Sequence, residues 1–160
     1  MKLSDKLNQK TIIAPIRAID RDTSIEEILN QLVLNNTLIS NSKLLEYIEN
    51  IEKQHTTAAG KGVAYPHSVS IEVEDLEVIL GISIKGIDYS APDGQLCHFI
   101  LLTLTPLEEP NKHRKFVTLF RTMIDNPEIR TSLLDSISCQ DICKIIEQWD
   151  IEQTDLDDLE

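Results

Sequence analysis

The sequence predicts an α/β fold in which a central sheet is flanked by helices. Helical periodicity occupies both ends of the chain, and two strand-like apolar runs lie in its middle. The second run, at residues 98–104, is almost continuously apolar, which indicates a strand covered on both faces. A length of 160 residues favours one domain that can bury its own core.

The first third of the chain predicts two helices. A loop-like segment containing a short candidate edge strand at 11–14 comes first. Thr23 or Ser24 is the expected N-cap of the first helix, which we expect to end at 35–36. The second helix is expected to begin at position 40 or 41 and to run through position 51.

The middle of the chain predicts strands, and the last third predicts helices. A stretch of small residues at 56–62 leads into a short apolar segment at 63–65. Strands are expected at 76–84 and 98–104, joined by a turn-rich connection. Three helices are expected after them, at 113–124, about 127–134 and about 139–149.

The charge balance restricts the classes of partner. The chain carries 15 Lys and Arg against 27 Asp and Glu, a formal net charge of -12. This balance argues against nucleic acid and anionic membranes, because both attract clustered positive charge. Half of the net charge lies at 150–160, which we expect to be a solvated acidic tail after a domain at 1–149.

Cysteine usage and hydropathy favour a cytoplasmic protein. The three cysteines, Cys97, Cys139 and Cys143, are odd in number and fit no zinc spacing, so we expect reduced thiols in the core. No segment has the uninterrupted apolar length of a membrane span, and the N-terminus lacks a basic stretch followed by an apolar run. We therefore expect neither membrane insertion nor a secretory leader.

His67 has the most unusual setting of the four histidines. Pro66 restricts the backbone next to it, and Thr56, Thr57 and Ser68 bring hydroxyl and N–H donors to its neighbourhood. Gly60-x-Gly62 upstream allows other backbone of the chain, or the backbone of a partner, to approach closely. A rigidly held imidazole among small donors suits nucleophilic attack on phosphorus. Taken alone, a Pro-His pair in a loop is more often an ordinary loop histidine than a functional one.

The other three histidines have plainer settings. His113 stands at a predicted helix start, where unpaired N–H groups can bind a phosphoryl group and a second imidazole could orient the first or share its charge. By itself, an exposed histidine in a polar first turn is the more frequent case. His98 is expected at the edge of the core with a backbone partner, and His55 is expected to be exposed. Four histidines without close cysteine or histidine pairs predict no metal site.

Four segments in order resemble one known family, the enzyme IIA domains of the phosphotransferase system, fructose/mannitol class, which includes a nitrogen-regulatory branch. The segment at 57–67 resembles the active-site stretch, and 86–94 resembles the segment before the central strand. Residues 99–106 and 111–113 resemble the strand, loop and helix start that carry the family's second histidine. The resemblance covers about 3–146.

The resemblance implies a fold, a site and partners. The fold would be a small mixed sheet with helices on both faces. His67 would accept the phosphoryl group, and His113 would support it. The donor would be the histidine phosphocarrier protein HPr or its nitrogen-branch counterpart. The acceptor would be an enzyme IIB domain, or none in a regulator of a transporter or kinase. The transfer would need no cofactor.

One departure from the family affects the phosphate site. The family commonly carries an Arg-Glu pair before the small-residue stretch, and its arginine helps to hold the phosphoryl group. This chain has Ile51-Glu52 there, so Glu52 is kept and the arginine is replaced. Lys53 could reach in, but an ammonium cannot copy a bidentate guanidinium. Thr57 and Ser68 complete the expected support, and Ser68 stands where glycine is frequent.

Two hypotheses therefore stand after the sequence. The first is an active phosphocarrier with weakened chemistry, in which the obvious cations are Lys53, Lys61, Lys112 and Arg114. The second is a regulatory binding module that has lost the transfer with its arginine. The Gly60-x-Gly62 spacing and the lack of an attached IIB or IIC segment in these 160 residues favour the nitrogen-regulatory branch over a mannitol carrier.

Overall fold

Six strands form one mixed sheet, with helices packed on both of its faces. The computed structural model describes residues 1–159. The strands are β1 (Ile12–Ile13), β2 (Ala58–Gly60), β3 (Val63–Ala64), β4 (His67–Val69), β5 (Glu77–Ile87) and β6 (Cys97–Thr105). A short 3-10 helix covers Leu3–Asp5, and the α-helices are α1 (Arg21–Leu34), α2 (Ser42–Gln54), α3 (His113–Ile124), α4 (Pro127–Asp135) and α5 (Cys139–Asp157). The predicted fold class is confirmed.

The pairing of the strands determines where His67 lies in the sheet. The order across the sheet is β1-β5-β6-β3-β2, and β5 and β6 form its long antiparallel centre. Both β3 and β4 run parallel to β6, with Ala64 opposite Ile100 and His67 opposite Thr103. The two short strands are therefore one line of chain that is interrupted at Tyr65-Pro66. His67 lies where the pairing resumes.

The core has two halves, one on each face of the sheet. Alternate residues of β6 point to opposite faces, as the strand period requires, so Phe99 and Leu101 join one half and Ile100 and Leu102 the other. The first half packs against α3, α4, α5 and the 3-10 helix, and the second packs against α1 and α2. The apolar run of β6 is thus covered on both faces, as predicted.

The first helix begins earlier than the sequence predicted. Its N-cap is Asp20, whose carboxylate accepts a hydrogen bond from the Thr23 backbone N–H at 2.8 Å. The prediction of Thr23 or Ser24 as the cap is wrong, because both lie in the first turn. The Ser24 hydroxyl instead contacts the buried Tyr89 hydroxyl at 2.7 Å. The second helix has the expected cap position, Asn41.

The acidic C-terminal segment is part of the last helix. α5 continues from Cys139 to Asp157, well beyond the predicted end at 149. Asp150 is only 5% exposed, and its carboxylate accepts hydrogen bonds from the backbone N–H groups of Leu3 and Ser4 at 3.0 and 2.9 Å. The expectation of a solvated tail from residue 150 onward is therefore wrong for Asp150, which anchors the N-terminal turn.

The three cysteines are free thiols, and no helix within residues 1–159 is a candidate membrane span. None of the helices within residues 1–159 combines the length and apolar character that a membrane crossing requires. Cys97 is buried beside Tyr89 in the second core half, and burial raises its pKa to about 12. Cys139 and Cys143 are half-buried on α5 and pack against the first core half, with no disulfide.

Candidate active site

A solvent-open cleft of about 370 Å³ lies where β4, the N-terminal end of α3 and the C-terminal end of α2 meet. Its walls bring together residues that are distant in sequence. They are Ile51, His55, Thr56, Thr57, Ala59, Tyr65, His67, Thr103, His113, Val117 and Arg121. Three of the residues that the sequence singled out for phosphate chemistry, His67, His113 and Thr57, are therefore neighbours in space.

His67 is exposed and held in a defined orientation. It is the first residue of β4, directly after Pro66. Its Nδ1 atom lies 3.1 Å from the backbone carbonyl oxygen of Tyr65. A carbonyl oxygen can only accept, so this hydrogen bond requires the proton on Nδ1 and leaves a lone pair on Nε2. The backbone thus selects the nitrogen that is free to react.

His113 stacks on His67 from the first residue of α3. The ring centroids are 5.1 Å apart, and the ring planes differ by 15°. Burial, followed by the neighbouring His67, lowers the pKa of His113, while the Pro110 carbonyl opposes the shift. Within the described chain, Nδ1 of His113 is buried without a hydrogen-bond partner. Burial and the adjacent His67 thus both disfavour the protonated form of the His113 ring.

Glu52 supports the site without lining the cleft. It lies in the last turn of α2 and is only 3% exposed. Its carboxylate accepts hydrogen bonds from both the backbone N–H and the hydroxyl of Thr57, the former at 3.1 Å. The Thr57 carbonyl in turn accepts from the Tyr65 N–H at 3.1 Å. Glu52 therefore holds Thr57, a residue of the cleft wall, in place just before β2.

The remaining predicted support residues lie elsewhere. Ile51 lines the cleft, so the position of the family arginine does face the site. Lys53 is exposed on α2 and is not among the residues that line the cleft. Ser68 is buried on the face of β4 opposite to His67, and its hydroxyl donates to the Val69 carbonyl at 2.8 Å. Neither Lys53 nor Ser68, which the sequence suggested as support for a phosphate, lines the cleft.

Two of the expected cations are neutralised by carboxylates. Lys112 bridges Asp75 and Glu109, each at 2.9 Å, and the bond to Asp75 is the main cause that raises the pKa of Lys112 to about 12. The same contact holds the pKa of Asp75 well below its usual range. Lys61 pairs with Asp125 at 3.5 Å. Among residues 1–159, neither lysine lines the cleft, and neither does Arg114.

Arg121 is the cation that sequence reasoning missed. It lines the cleft from the same face of α3 as His113 and Val117, at spacings of four and eight residues. Its guanidinium carbon lies 5.3 Å from the centre of the Tyr65 ring. The helical spacing was the available signal, because a residue eight positions after His113 must lie on its face.

The glycine pair upstream of His67 shapes a turn rather than the cleft. Gly60 and Gly62 have positive φ angles of 85° and 75° at the tight connection between β2 and β3. A side chain at Gly62 would meet Arg130 at 3.0 Å and the Leu96 carbonyl at 3.2 Å. The close approach is therefore to the chain's own loop.

The other two histidines lie where the sequence placed them. Nδ1 of His98 lies 2.9 Å from the Ser83 carbonyl, which confirms the expected backbone partner. His55 is exposed, as predicted, although it also lines the outer wall of the cleft. Within residues 1–159 no group of three or more His, Cys, Asp or Glu side chains is arranged to hold a metal ion.

Comparison with known proteins gives a consistent result. The family described as "Phosphoenolpyruvate-dependent sugar phosphotransferase system, EIIA 2" matches residues 5–149. The chain is 30% identical over 150 residues to the PTS system fructose-specific EIIABC component of Bacillus subtilis (strain 168), covering 94% of this chain. It spans only 24% of that relative's length.

Solved structures share the fold. Nitrogen regulatory protein IIA-Ntr from Neisseria meningitidis superposes with a TM-score of 0.79 at 22% identity, covering 90% of this chain and 98% of that one. Enzyme IIAMTL in its complex with phosphorylated enzyme IIBMTL from Escherichia coli gives a TM-score of 0.74 at 16% identity, covering 89% and 98%. At these identities the likeness concerns the fold.

Proposed function

The chain belongs to the EIIA 2 family of the phosphoenolpyruvate-dependent sugar phosphotransferase system, and from this membership we propose that it is a histidine phosphocarrier. In this proposal Nε2 of His67 accepts a phosphoryl group from an HPr-type donor. The group then passes to an enzyme IIB domain, or the phosphorylated protein acts as a regulatory signal. The relatives include sugar-specific and nitrogen-regulatory proteins, so both uses are represented in the family.

The stacked histidine pair carries the proposal. The lone pair on Nε2 of His67 attacks phosphorus, the bond between phosphorus and the donor's imidazole nitrogen breaks, and its electron pair leaves with the donor ring. The proton on Nδ1 stays in place, because the Tyr65 carbonyl accepts a hydrogen bond from it. That hydrogen bond also stabilises the positive charge that the His67 ring gains as the new bond forms.

His113 is proposed to stabilise the transferred group. Its ring lies against His67, and burial and the adjacent His67 lower its pKa, so the protonated form is disfavoured before the phosphoryl group arrives. Once the phosphate dianion is attached, a nearby imidazole gains a favourable opposite charge and its protonated form is stabilised. His113 would then donate a charge-assisted hydrogen bond to a phosphoryl oxygen.

The proposed partners follow from family and charge. The acidic surface of the chain suits docking of a basic-faced phosphocarrier such as an HPr-type protein, because complementary charge speeds encounter. An enzyme IIB domain is the proposed acceptor, since the mannitol-specific relative was solved in complex with one. We place the reaction in the cytoplasm, where free thiols such as Cys97 remain reduced. Nucleic acid is not a proposed partner.

Mass spectrometry of the intact protein tests the proposal. Incubation with a histidine-phosphorylated HPr-type protein in neutral buffer should add one phosphoryl group, about 80 Da, to the wild-type chain. His67→Ala should abolish the added mass, whereas His55→Ala, at the rim of the same cleft, should retain it. A mass increase that survives His67→Ala would contradict the assignment.

A regulatory binding module is the second candidate, favoured by Ile51 in place of the family arginine. In this case the chain would bind a transporter, kinase or regulator through its surface, without transferring phosphate. A partner captured equally well by wild type and His67→Ala, together with no phosphorylation of either, would favour this candidate over the carrier.

A further inference from the structure

The cleft contains one permanently charged cation, and it comes from a different helix than the family pattern indicates. Among residues 1–159, Arg121 is the only lysine or arginine that lines the cleft with His67. The family position on α2 is Ile51, which lies in the same cleft and has no hydrogen-bond donor on its side chain. A phosphoryl group on His67 would therefore meet an apolar wall at α2 and a guanidinium at α3.

The guanidinium of Arg121 interacts with the Tyr65 hydroxyl and with no carboxylate of the described chain. Burial raises the pKa of Tyr65, and a hydrogen bond from Arg121 opposes this shift. Within the described chain Arg121 forms no ion pair, whereas Arg21, Lys61 and Lys112 each pair with a carboxylate. Its guanidinium rests against the Tyr65 ring, 5.3 Å from the ring centre, and it is exposed to solvent. A guanidinium has five N–H donors, so an arginine beside an aromatic ring and without a carboxylate partner still has donors for bidentate binding of phosphate.

The position of Arg121 allows it to reach toward the two histidines. Eight residues of helix separate it from His113, a rise of about 12 Å. Helical side chains tilt toward the helix N-terminus, so the Arg121 side chain leans from its own turn toward the end that carries His113. The Tyr65 ring against which it lies belongs to the residue two positions before His67, whose carbonyl orients the His67 imidazole.

We propose that Arg121 binds the phosphoryl group carried by His67, supplying from α3 the guanidinium that the family supplies at the position of Ile51. The inference rests on the proposed phosphocarrier function. Arg121 forms two hydrogen bonds to the phosphoryl oxygens as negative charge develops on them. The guanidinium moves away from the Tyr65 ring only by the distance that these two bonds need. In this phosphocarrier the phosphate-binding arginine is thus a residue of α3 and not of α2.

Arg121→Ala should slow phosphorylation of His67 by about 10- to 100-fold, because one charged hydrogen-bonding partner of the phosphoryl group is lost. The rate is measured with two donors, a histidine-phosphorylated HPr-type protein and phosphoramidate, a small molecule with a P–N bond that releases ammonia on transfer. Lys115→Ala is the matched control, because it removes one positive charge from an exposed position of the same helix. It should stay within twofold of wild type.

The double variant Ile51→Arg with Arg121→Ala restores a guanidinium at the family position. We expect it to recover most of the lost rate with both donors, which a purely structural role of Arg121 would not explain. The single variant Arg121→Lys should be phosphorylated more slowly than this double variant, because an ammonium cannot form the bidentate contact. Thermal melting of each variant confirms that the fold is retained.

The outcomes separate this inference from the proposed function. Normal phosphorylation of Arg121→Ala would overturn the inference and leave the carrier intact. A loss of rate with the HPr-type donor alone would overturn it too, since it would assign Arg121 to docking. Absence of phosphorylation of the wild-type chain by either donor would overturn both the inference and the carrier function.

Discussion

The imidazole rings of His67 and His113 lie nearly parallel, with their centroids 5.1 Å apart. One ring opens a strand and the other opens a helix, so the sheet register and the start of α3 together set their distance. Two imidazoles this close disfavour each other's protonation, because like charges would face each other at short range. The pair is therefore suited to one reactive ring and one neutral neighbour.

The pKa of His113 should lie below the ordinary histidine value of about 6.5, mainly because the ring is partly buried and secondly because His67 is adjacent. Titration of the ring protons by NMR measures it directly. Phosphorylation of His67 should raise the pKa of His113, since a dianion then faces the ring. A pKa that does not respond to phosphorylation would contradict the proposed hydrogen bond to the phosphoryl group.

The same shift predicts how the free energy of unfolding depends on pH. Because the pKa of His113 is lowered in the folded state, the unfolded chain binds more protons between that lowered value and about 6.5. The free energy of unfolding should therefore rise with pH across this window, and fall as the pH drops through it. His113→Gln should lose this part of the pH dependence, while its difference from wild type stays constant above pH 8 or so.

Glu52 should contribute to stability through Thr57. Glu52→Ala leaves the Thr57 N–H and hydroxyl without their buried acceptor, which should lower the free energy of unfolding by about 2 kcal/mol. Glu52→Gln is the matched control, because its amide can accept from the N–H and donate to the hydroxyl, so its loss should be smaller. Urea unfolding compares them. Equal losses for the two variants would contradict this account of the pair.

Asp150 should behave as a structural residue and not as part of a solvated tail. Asp150→Ala removes the acceptor for the N–H groups of Leu3 and Ser4, so we expect a loss of about 1–3 kcal/mol of unfolding free energy. Asp155→Ala, at an exposed position of the same helix, should change it by less than about 0.5 kcal/mol. An Asp150→Ala variant with an unchanged free energy of unfolding would contradict the structural role of Asp150.

The sequence predicted the long elements of the fold and missed features set by tertiary contacts. Strands β5 and β6 are long apolar runs, and helices α2 and α3 have helical periodicity, so their positions were predictable within a few residues. Strands β2, β3 and β4 have only two or three residues each and depend on pairing with neighbours for their existence. The burial of Asp150 was unpredictable because its partners, Leu3 and Ser4, lie at the other end of the chain.

The residues of the candidate site were also predictable only in part. His67, His113 and Thr57 were selected by motif, and the structure brings them to one cleft. Lys53 and Ser68 were selected by proximity in sequence, but the period of a helix or strand turns them away from the cleft. Arg121 belongs to none of the recognised motifs. It reaches the cleft because α3 places it on the same helix face as His113.

We expect Nε2 of His67 to carry the phosphoryl group, because Nδ1 donates a hydrogen bond to the Tyr65 carbonyl. NMR of the phosphorylated protein, with nitrogen-15 in the histidine rings, identifies the atom bonded to phosphorus through its nitrogen–phosphorus coupling. We predict one coupled nitrogen, Nε2 of His67, and a protonated Nδ1 in the same ring. Coupling at Nδ1, or at any other histidine, would contradict the account.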